Sequence, residues 1–337
     1  MRDADLDSWE QHLADLGERV ARTTASLAPA EGAGLRPASQ GVGDASWALD
    51  EACEAEVEAW FADRAREGPL SLLTEHHGWR HRGPAGDGGW RELAGFDHGG
   101  PRVVCDPVDG TRHLLLRHRA AWCLIALAHA GSGQPRQSEV VLAHTEELPA
   151  RPGTPARRLG ARRGGGAWLS EGATRQPLRV DADDRLDHGF FTFFAFHPSQ
   201  RPAVAQLAER VTARWAREEE CAREHCWQDD YISSGGLLLN AALGSQRVVV
   251  DARALLPDSA HLPGGTCHPY DLAAPVLILD EAGGSIRDVS GTPFEQPLDA
   301  VHAAGFVAFA NRATAARALP ALLEELTKWK REFEQKP

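Results

Sequence analysis

The stretch Val103–His113, VVCDPVDGTRH, constrains this chain more than any other. Three apolar residues read as the end of a buried strand. They run directly into Asp106, Pro107, Val108, Asp109, Gly110 and Thr111. Two carboxylates three residues apart repel each other. In a dry setting that repulsion is costly unless a cation lies between them. Any fold this chain adopts must bring the acidic turn to a place a cation can reach.

The 337 residues suffice for one large domain or two ordinary ones, and 42% hydrophobic with 25% charged residues is a globular composition. A net charge of -12 argues against nucleic acid as the main partner, because phosphate backbones bind basic surface. A small phosphorylated ligand held through metal ions remains compatible with it. The N-terminal MRDADLDSWEQHLADLGERV is acidic and amphipathic, with no basic region followed by an apolar core, so no secretion signal is expected. The longest apolar run, Ala120–Ala128, is too short to span a bilayer. These readings predict a cytoplasmic protein that meets no membrane. The six cysteines show no CxxC pair, which argues for buried thiols rather than zinc. Lysine occurs only at 328, 330 and 336, so a catalytic lysine is not expected.

Apolar spacing predicts helices over 4–24 and from Ser46 to about Arg66. The stretch 27–45 reads as a loop. Strands are expected at 70–73, ending at Thr74-Glu75, then at 103–105, 121–128 and 139–143. Residues 82–101, with seven glycines, read as a surface loop. Turn-rich 161–180 suggests hairpins. GFFTFFAF (189–196) reads as a strand, 202–219 as a helix, 237–243 as a helix after the Gly235-Gly236 pair, and 248–251 as a strand. Residues 254–267 read as a loop. A helix is expected over 270–284, with Asp271 as its N-cap and Pro275 in its first turn. Strands near Ile286 and over 305–310 and a charged helix close the chain. The class is α/β, with helices layered on mixed sheets. The expected organisation is an N-terminal half, 1–180, with the acidic motifs, and a C-terminal half, 181–337, in one compact catalytic unit.

Four acidic residues lie where a strand or loop meets a turn or helix start: Glu75, Asp106, Asp109 and Asp271. Oxygen ligands from separate segments, completed by water and substrate phosphate, suit Mg²⁺. The Val108 carbonyl can join them. Gly110 and Thr111 offer N–H groups and a hydroxyl for a phosphate or an attacking water.

CDPVDGT at 105–111, with YDLAAPVLILDEAGG at 270–284 about 160 residues later, resembles the inositol monophosphatase family of Mg²⁺-dependent, lithium-sensitive phosphatases. SWALDEACEAEVEAW, LLTEHHG, RRGGGAWLSEGATRQPLRV and ISSGGLLLNAALG resemble further family motifs, extending the likeness over roughly residues 5–315. The resemblance implies an αβαβα sandwich, often dimeric. It also implies two or three Mg²⁺ ions held by Glu75, Asp106, Val108, Asp109 and Asp271. Thr111 and Asp50 match the pair that orients the attacking water. Gly110, Thr111, Ser233 and Asp251 match substrate-contacting positions.

Departures from the pattern concern substrate more than chemistry. His76 stands where a second glutamate is usual. Arg112-His113 replaces a threonine and an asparagine. Tyr270 replaces a tryptophan, and Leu49 a threonine. Asp251 lies 20 residues before Asp271, which implies an insertion beside the pocket. The expected activity is hydrolysis of a small phosphate monoester, inositol monophosphate first. Histidinol phosphate is the alternative, followed by a 3′-phosphoadenosine nucleotide or fructose 1,6-bisphosphate. From another class, a binding protein on a decayed phosphatase scaffold is the rival.

Overall fold

A parallel pair of strands in the interior of a large sheet leads into the two acidic turns at Glu75 and at Asp106–Asp109. The structure, a computed structural model, describes residues 3–27, 39–40, 45–151, 153–218, 227–257, 259–262 and 264–334. Two compact units emerge: Met1–Pro177 with His268–Ile278 and Gln296–His302, and Leu178–Cys267 with Leu279–Glu295 and Ala303–Pro337. The segment carrying Asp271, assigned from sequence to the C-terminal half, belongs instead to the first unit.

In chain order the first unit contains α1 (Asp3–Ser26), β1 (Ser39–Gln40), β2 (Ala45–Ser46), α2 (Ala48–Glu67), β3 (Leu70–Thr74), β4 (Gly78–Pro84), β5 (Trp90–Glu92), β6 (Arg102–Asp109) and α3 (Thr111–Leu115). It continues with β7 (Ala121–Ala128), β8 (Val140–Leu148), β9 (Arg157–Arg162), β10 (Gly166–Glu171) and β11 (Thr174–Leu178). Nine of these strands form one sheet, ordered β11-β10-β9-β8-β7-β6-β3-β4-β5. β3 and β6 run parallel, while β6–β7, β7–β8, β8–β9 and β3–β4 are antiparallel. The mixture of parallel and antiparallel pairs is the mixed sheet the sequence led us to expect.

The apolar periodicity of the helices explains their place. Leu13, Leu16 and Val20 of α1 recur on one face, as do Leu49, Cys53, Val57 and Trp60 of α2. They bury against alternate strand residues: Leu70 and Leu72, Val103 and Cys105, and Ala121, Cys123, Ile125 and Leu127. The helices therefore cover one face of the sheet, and Arg102, Val104 and Asp106 of β6 point to the other.

The second unit contains β12 (Phe190–Phe193), α4 (Arg201–Glu218), β13 (Trp227–Gln228), α5 (Ser234–Ala242), β14 (Gln246–Asp251), the last residues of α6 (Pro269–Ala282), β15 (Ser285–Asp288), β16 (Phe306–Phe309) and α7 (Arg312–Glu334). Its sheet is ordered β13-β12-β14-β16-β15. Phe191, Val248, Val250, Val307 and Phe309 of the strands pack with Leu207, Val211 and Trp215 of α4 and Leu322, Leu326 and Trp329 of α7. Both units are layered α+β structures.

Several local expectations are corrected. The glycine-rich stretch 82–101 contains the end of β4, β5 and a short turn of helix at Phe96–His98. The strand in 189–196 is only four residues long. α5 starts before the Gly235-Gly236 pair because Ser233 caps it, its hydroxyl accepting the Gly236 N–H at 2.8 Å. Short helical turns, Arg253–Leu255 and Ser259–His261, interrupt the expected loop at 254–267. The loop expected at 27–45 lies mostly outside the described residues, as do Cys221 and Cys226. Cys53, Cys105, Cys123 and Cys267 are buried free thiols. Among the described residues, no helix is long and apolar enough to cross a membrane.

Leu16 is fully buried where α1 meets the sheet. Leu16→Ala is expected to lower unfolding stability by about 3 kcal/mol, read from the urea midpoint at unchanged slope.

Candidate active site

Asp106 and Asp109 are three residues apart, and in a regular strand that spacing places side chains on opposite faces. The pairing with β7 removes the difficulty. Asp106 pairs with Leu124 and Asp109 with Trp122, so Pro107 and Val108 together oppose Cys123 alone. This is a β-bulge, and its extra residue resets the alternation. Val108 returns to the helix-facing core with Cys105, while both aspartates take the other face. Pro107 suits the bulge because it has no N–H to lose from the ladder. The Asp106 carboxylate closes the turn by accepting the Val108 N–H at 3.0 Å.

The parallel pairing of β3 with β6 supplies the third acid. Leu73 pairs with Val104, Glu75 follows two residues after Leu73 and Asp106 two after Val104, and the Glu75 charge acts on Asp106. The fourth arrives with the first turn of α6. Asp271 is the third residue of this helix, not its cap: the helix starts at Pro269, and Asp271 accepts the His268 N–H at 2.9 Å. Pro275 accordingly sits in the second turn. Its missing N–H removes the helical donor for the Asp271 carbonyl.

The electrostatics show that these acids share one field. Burial pushes the Asp106 carboxyl, 5% exposed, well above the usual carboxylate range, and Asp109, Asp271 and Glu75 push it further. Burial likewise raises Asp271, with Asp109 and Glu75 adding to the shift and the His268 N–H opposing it. The strongest charge effects on Asp106 thus all disfavour its ionised form. Hard oxygen donors crowded in this way match what Mg²⁺ binds, so the residues present fit such an ion. Among the described residues, no three His, Cys, Asp or Glu side chains stand close enough together to hold a metal ion by themselves. An open set completed by water and ligand oxygens is the usual Mg²⁺ arrangement.

Beside these acids stands a second cluster. Asp50, third residue of α2, accepts the Trp47 N–H at 3.0 Å and the Thr111 hydroxyl at 3.0 Å. The same hydroxyl lies 2.8 Å from the Val108 carbonyl. Burial raises the Asp50 carboxyl, while the Trp47 N–H, the Thr111 hydroxyl and the charges of His76 and Arg112 pull it back. Gly110, at φ 96°, makes the left-handed turn from β6 into α3, a conformation that side-chain-bearing residues rarely adopt. The Arg112 guanidinium lies 4.8 Å over the Trp47 ring.

Glu75, Asp106, Val108, Asp109, Gly110, Thr111, Asp271 and Asp50 all belong to the first unit. Ser233 and Asp251 belong to the second and are engaged there. Ser233 caps α5, and Asp251, 0% exposed, holds the Arg253 guanidinium at 2.9 and 2.7 Å. Sequence reasoning missed Arg253. It also gave no role to Glu54, one helical turn after Asp50 and 8% exposed. The four-residue spacing from Asp50 was the available signal, since it places both acids on one helix face.

A layered α+β fold with a bulged acidic strand end defines the class of protein. The sequence profile of the inositol monophosphatase family matches residues 85–327, and the chain belongs to that family. Members are generally Mg²⁺-dependent phosphatases. No curated protein matches the chain. Solved structures share its fold. One is the extragenic suppressor protein suhB from Bartonella henselae, with 19% identity and TM-score 0.64 over 95% of this chain and 99% of that one. A hypothetical protein from Pyrococcus horikoshii, with similarities to inositol-1 monophosphatase, gives 18% identity and TM-score 0.62 over 96% and 98%. SaIMPase-II bound to inositol monophosphate gives 15% identity and TM-score 0.59 over 97% and 99%, and the same protein also has a structure with 2′AMP.

Asp106 and Asp271 hold protons more tightly folded than unfolded, so their contribution to stability is full below the ordinary value of 3.8. It is lost as pH rises through their folded values. In EDTA, the wild type is expected to lose thermal stability from about pH 4 upwards. Asp106→Asn is expected to flatten that slope and to melt above the wild type at alkaline pH.

Proposed function

We propose that this protein hydrolyses a small phosphate monoester with Mg²⁺ as cofactor, inositol monophosphate being the first candidate substrate. The observation that carries the reading is the bulge that puts Asp106 and Asp109 on one face, with the charges of Glu75 and Asp271 acting on Asp106. Glu75, Asp106, the Val108 carbonyl, Asp109 and Asp271 would hold two or three ions. When bound, Mg²⁺ would neutralise the carboxylates and supply Lewis-acid activation of water and of the leaving oxygen.

The chain's own residues supply the rest. Asp50 fixes the Thr111 hydroxyl, leaving it oriented to align an attacking water. The Asp50 carboxyl, raised by burial, is suited to accept a proton at that position. The Gly110–Thr111 turn presents N–H groups for phosphate oxygens. The net charge of -12 makes metal ions the natural bridge to an anionic substrate. The ligands of SaIMPase-II, inositol monophosphate and 2′AMP, support a small phosphorylated metabolite.

The test is phosphate release from a panel containing inositol monophosphate, histidinol phosphate, 2′- and 3′-phosphorylated adenosine nucleotides and fructose 1,6-bisphosphate, with and without Mg²⁺. Mg²⁺-dependent turnover on one of them is expected, with lithium inhibiting. Asp106→Asn and Thr111→Val are each expected to lower kcat by about 10²-fold or more. Absence of Mg²⁺-dependent turnover on every substrate would sink the enzyme reading and favour a binding protein. Full activity in Asp106→Asn would sink the site.

A further inference from the structure

A serine and two histidines of the first unit's sheet take no part in the proposed chemistry. Ser71 of β3 pairs with His81 of β4, so their side chains leave the same face. His98 ends the short helical turn Phe96–His98 that follows β5. The Ser71 hydroxyl, 0% exposed, lies 2.8 Å from Nδ1 of His81 and 2.9 Å from Nε2 of His98. Nδ1 of His98 in turn accepts the Gly100 N–H at 2.9 Å. The chain is tight at this point, since a Cβ on Gly100 would stand 2.0 Å from the Pro69 carbonyl oxygen.

The proton positions follow by elimination. A backbone N–H can only donate, so Nδ1 of His98 carries no proton. The ring therefore holds its one proton on Nε2 and donates it to the Ser71 hydroxyl. That hydroxyl has its own proton left for Nδ1 of His81. Both imidazoles must be neutral for all three bonds to exist. A second proton on His98 would face the Gly100 N–H, and one on Nδ1 of His81 would face the Ser71 hydroxyl. Either sets donor against donor at a buried group. Burial pulls both imidazoles below their ordinary value of 6.5. At His81 the neighbouring His98 adds to this and Glu92 of β5 opposes it, while Asp97 opposes it at His98. From β6, Arg102 is level with Ser71, and its guanidinium is engaged by Glu139 and by the His129 and Gly133 carbonyls.

The turn held in this way supports a further segment of the unit. The Phe96 ring packs edge-on against His81, at 4.5 Å between centroids, and against Trp79, at 5.2 Å. The Trp79 indole N–H donates to the Leu298 carbonyl at 2.8 Å. The next carbonyl, of Asp299, accepts the N–H of Tyr270 at 3.3 Å, one residue before Asp271. We infer that Ser71, His81 and His98 form a pH-sensitive latch: it closes residues 96–100 onto β3 while both imidazoles are neutral, and in mild acid it releases them together with their support of Trp79 and residues 296–302. The sign follows from linkage. Both folded values lie below 6.5, so the latch is complete above that value and is lost as pH falls through the folded values. The latch resides in the chain itself and is independent of the proposed Mg²⁺ chemistry.

The experiment follows amide hydrogen exchange of the full chain at about pH 7.5 and about pH 5.5, corrected for the intrinsic pH dependence of exchange. Protection over 94–101 is expected to fall about 10-fold or more in acid, with 296–302 losing protection alongside it and β7 keeping its own. Ser71→Ala is expected to lower protection over 94–101 already at the higher pH and to shrink the acid step. His81→Asn keeps an acceptor near the place of Nδ1 that takes up no proton, so it is expected to retain the protection and shrink the step. The ring-nitrogen resonances of His98 at the higher pH are expected to show the proton on Nε2. Protection over 94–101 that is unchanged in acid overturns the latch, and so does a full-sized step in whichever variant folds. A proton found on Nδ1 of His98, or an acid loss shared by β7, also overturns it. A loss confined to 94–101 overturns the link to residues 296–302.

Discussion

Like charges held together away from bulk water set the terms for the rest of the first unit. The charges of Asp109 and Glu75 raise the proton affinity of the buried Asp106 and Asp271, so the chain alone gains nothing electrostatically by bringing them together. Something else must hold them. That role falls to the apolar face on the far side of the same sheet, where α1 and α2 bury a continuous core against β3, β6 and β7. Strand register then transmits the rigidity of that core to the acids. Val103 and Cys105 anchor β6 from below, and Asp106 cannot turn back without displacing the core set.

Backbone geometry and side-chain chemistry are inseparable here. A regular strand could place two acids on one face with a single residue between them. The bulge uses two, and a bulge leaves one backbone unit out of the ladder. The Val108 carbonyl, 2.8 Å from the Thr111 hydroxyl, lies in that segment. The same irregularity thus aligns Asp106 with Asp109 and sets an additional oxygen beside them. Gly110 then turns the chain sharply enough for Thr111 to reach Asp50.

Much of this was legible in the sequence, because periodicity and motif spacing report local geometry. The apolar spacing of α1 and α2 and the uninterrupted apolar run of β7 predicted their places, and DPVDGT pointed to the acidic turn. The failures share a cause: one residue type serves two structures. Glycines over 82–101 suit a hairpin's turns as well as a loop. Gly235-Gly236 reads as a break, yet Ser233 starts the helix ahead of it. Asp271 is equally plausible as a cap or as a third helical residue, and only Pro269 at the true start decides. Asp251 reads as a substrate contact because no local pattern shows that Arg253 folds back onto it. Glu54 was hidden for a related reason, since burial of a charged residue depends on neighbours distant in sequence.

The return of the chain to its first unit has a consequence in time. Residues 268–278 and 296–302 complete a body begun by Met1–Pro177, and one of them brings Asp271. During synthesis that body stays open until residue 302 has been made. β3 and β6 can pair early, but the fourth acid arrives only after residues 178–267, the first stretch of the second unit, have been made. Contacts of such long sequence separation form late and slowly. The full concentration of negative charge is therefore postponed to a stage when the surrounding core can bear it, and the complete acidic set becomes a mark of a finished molecule.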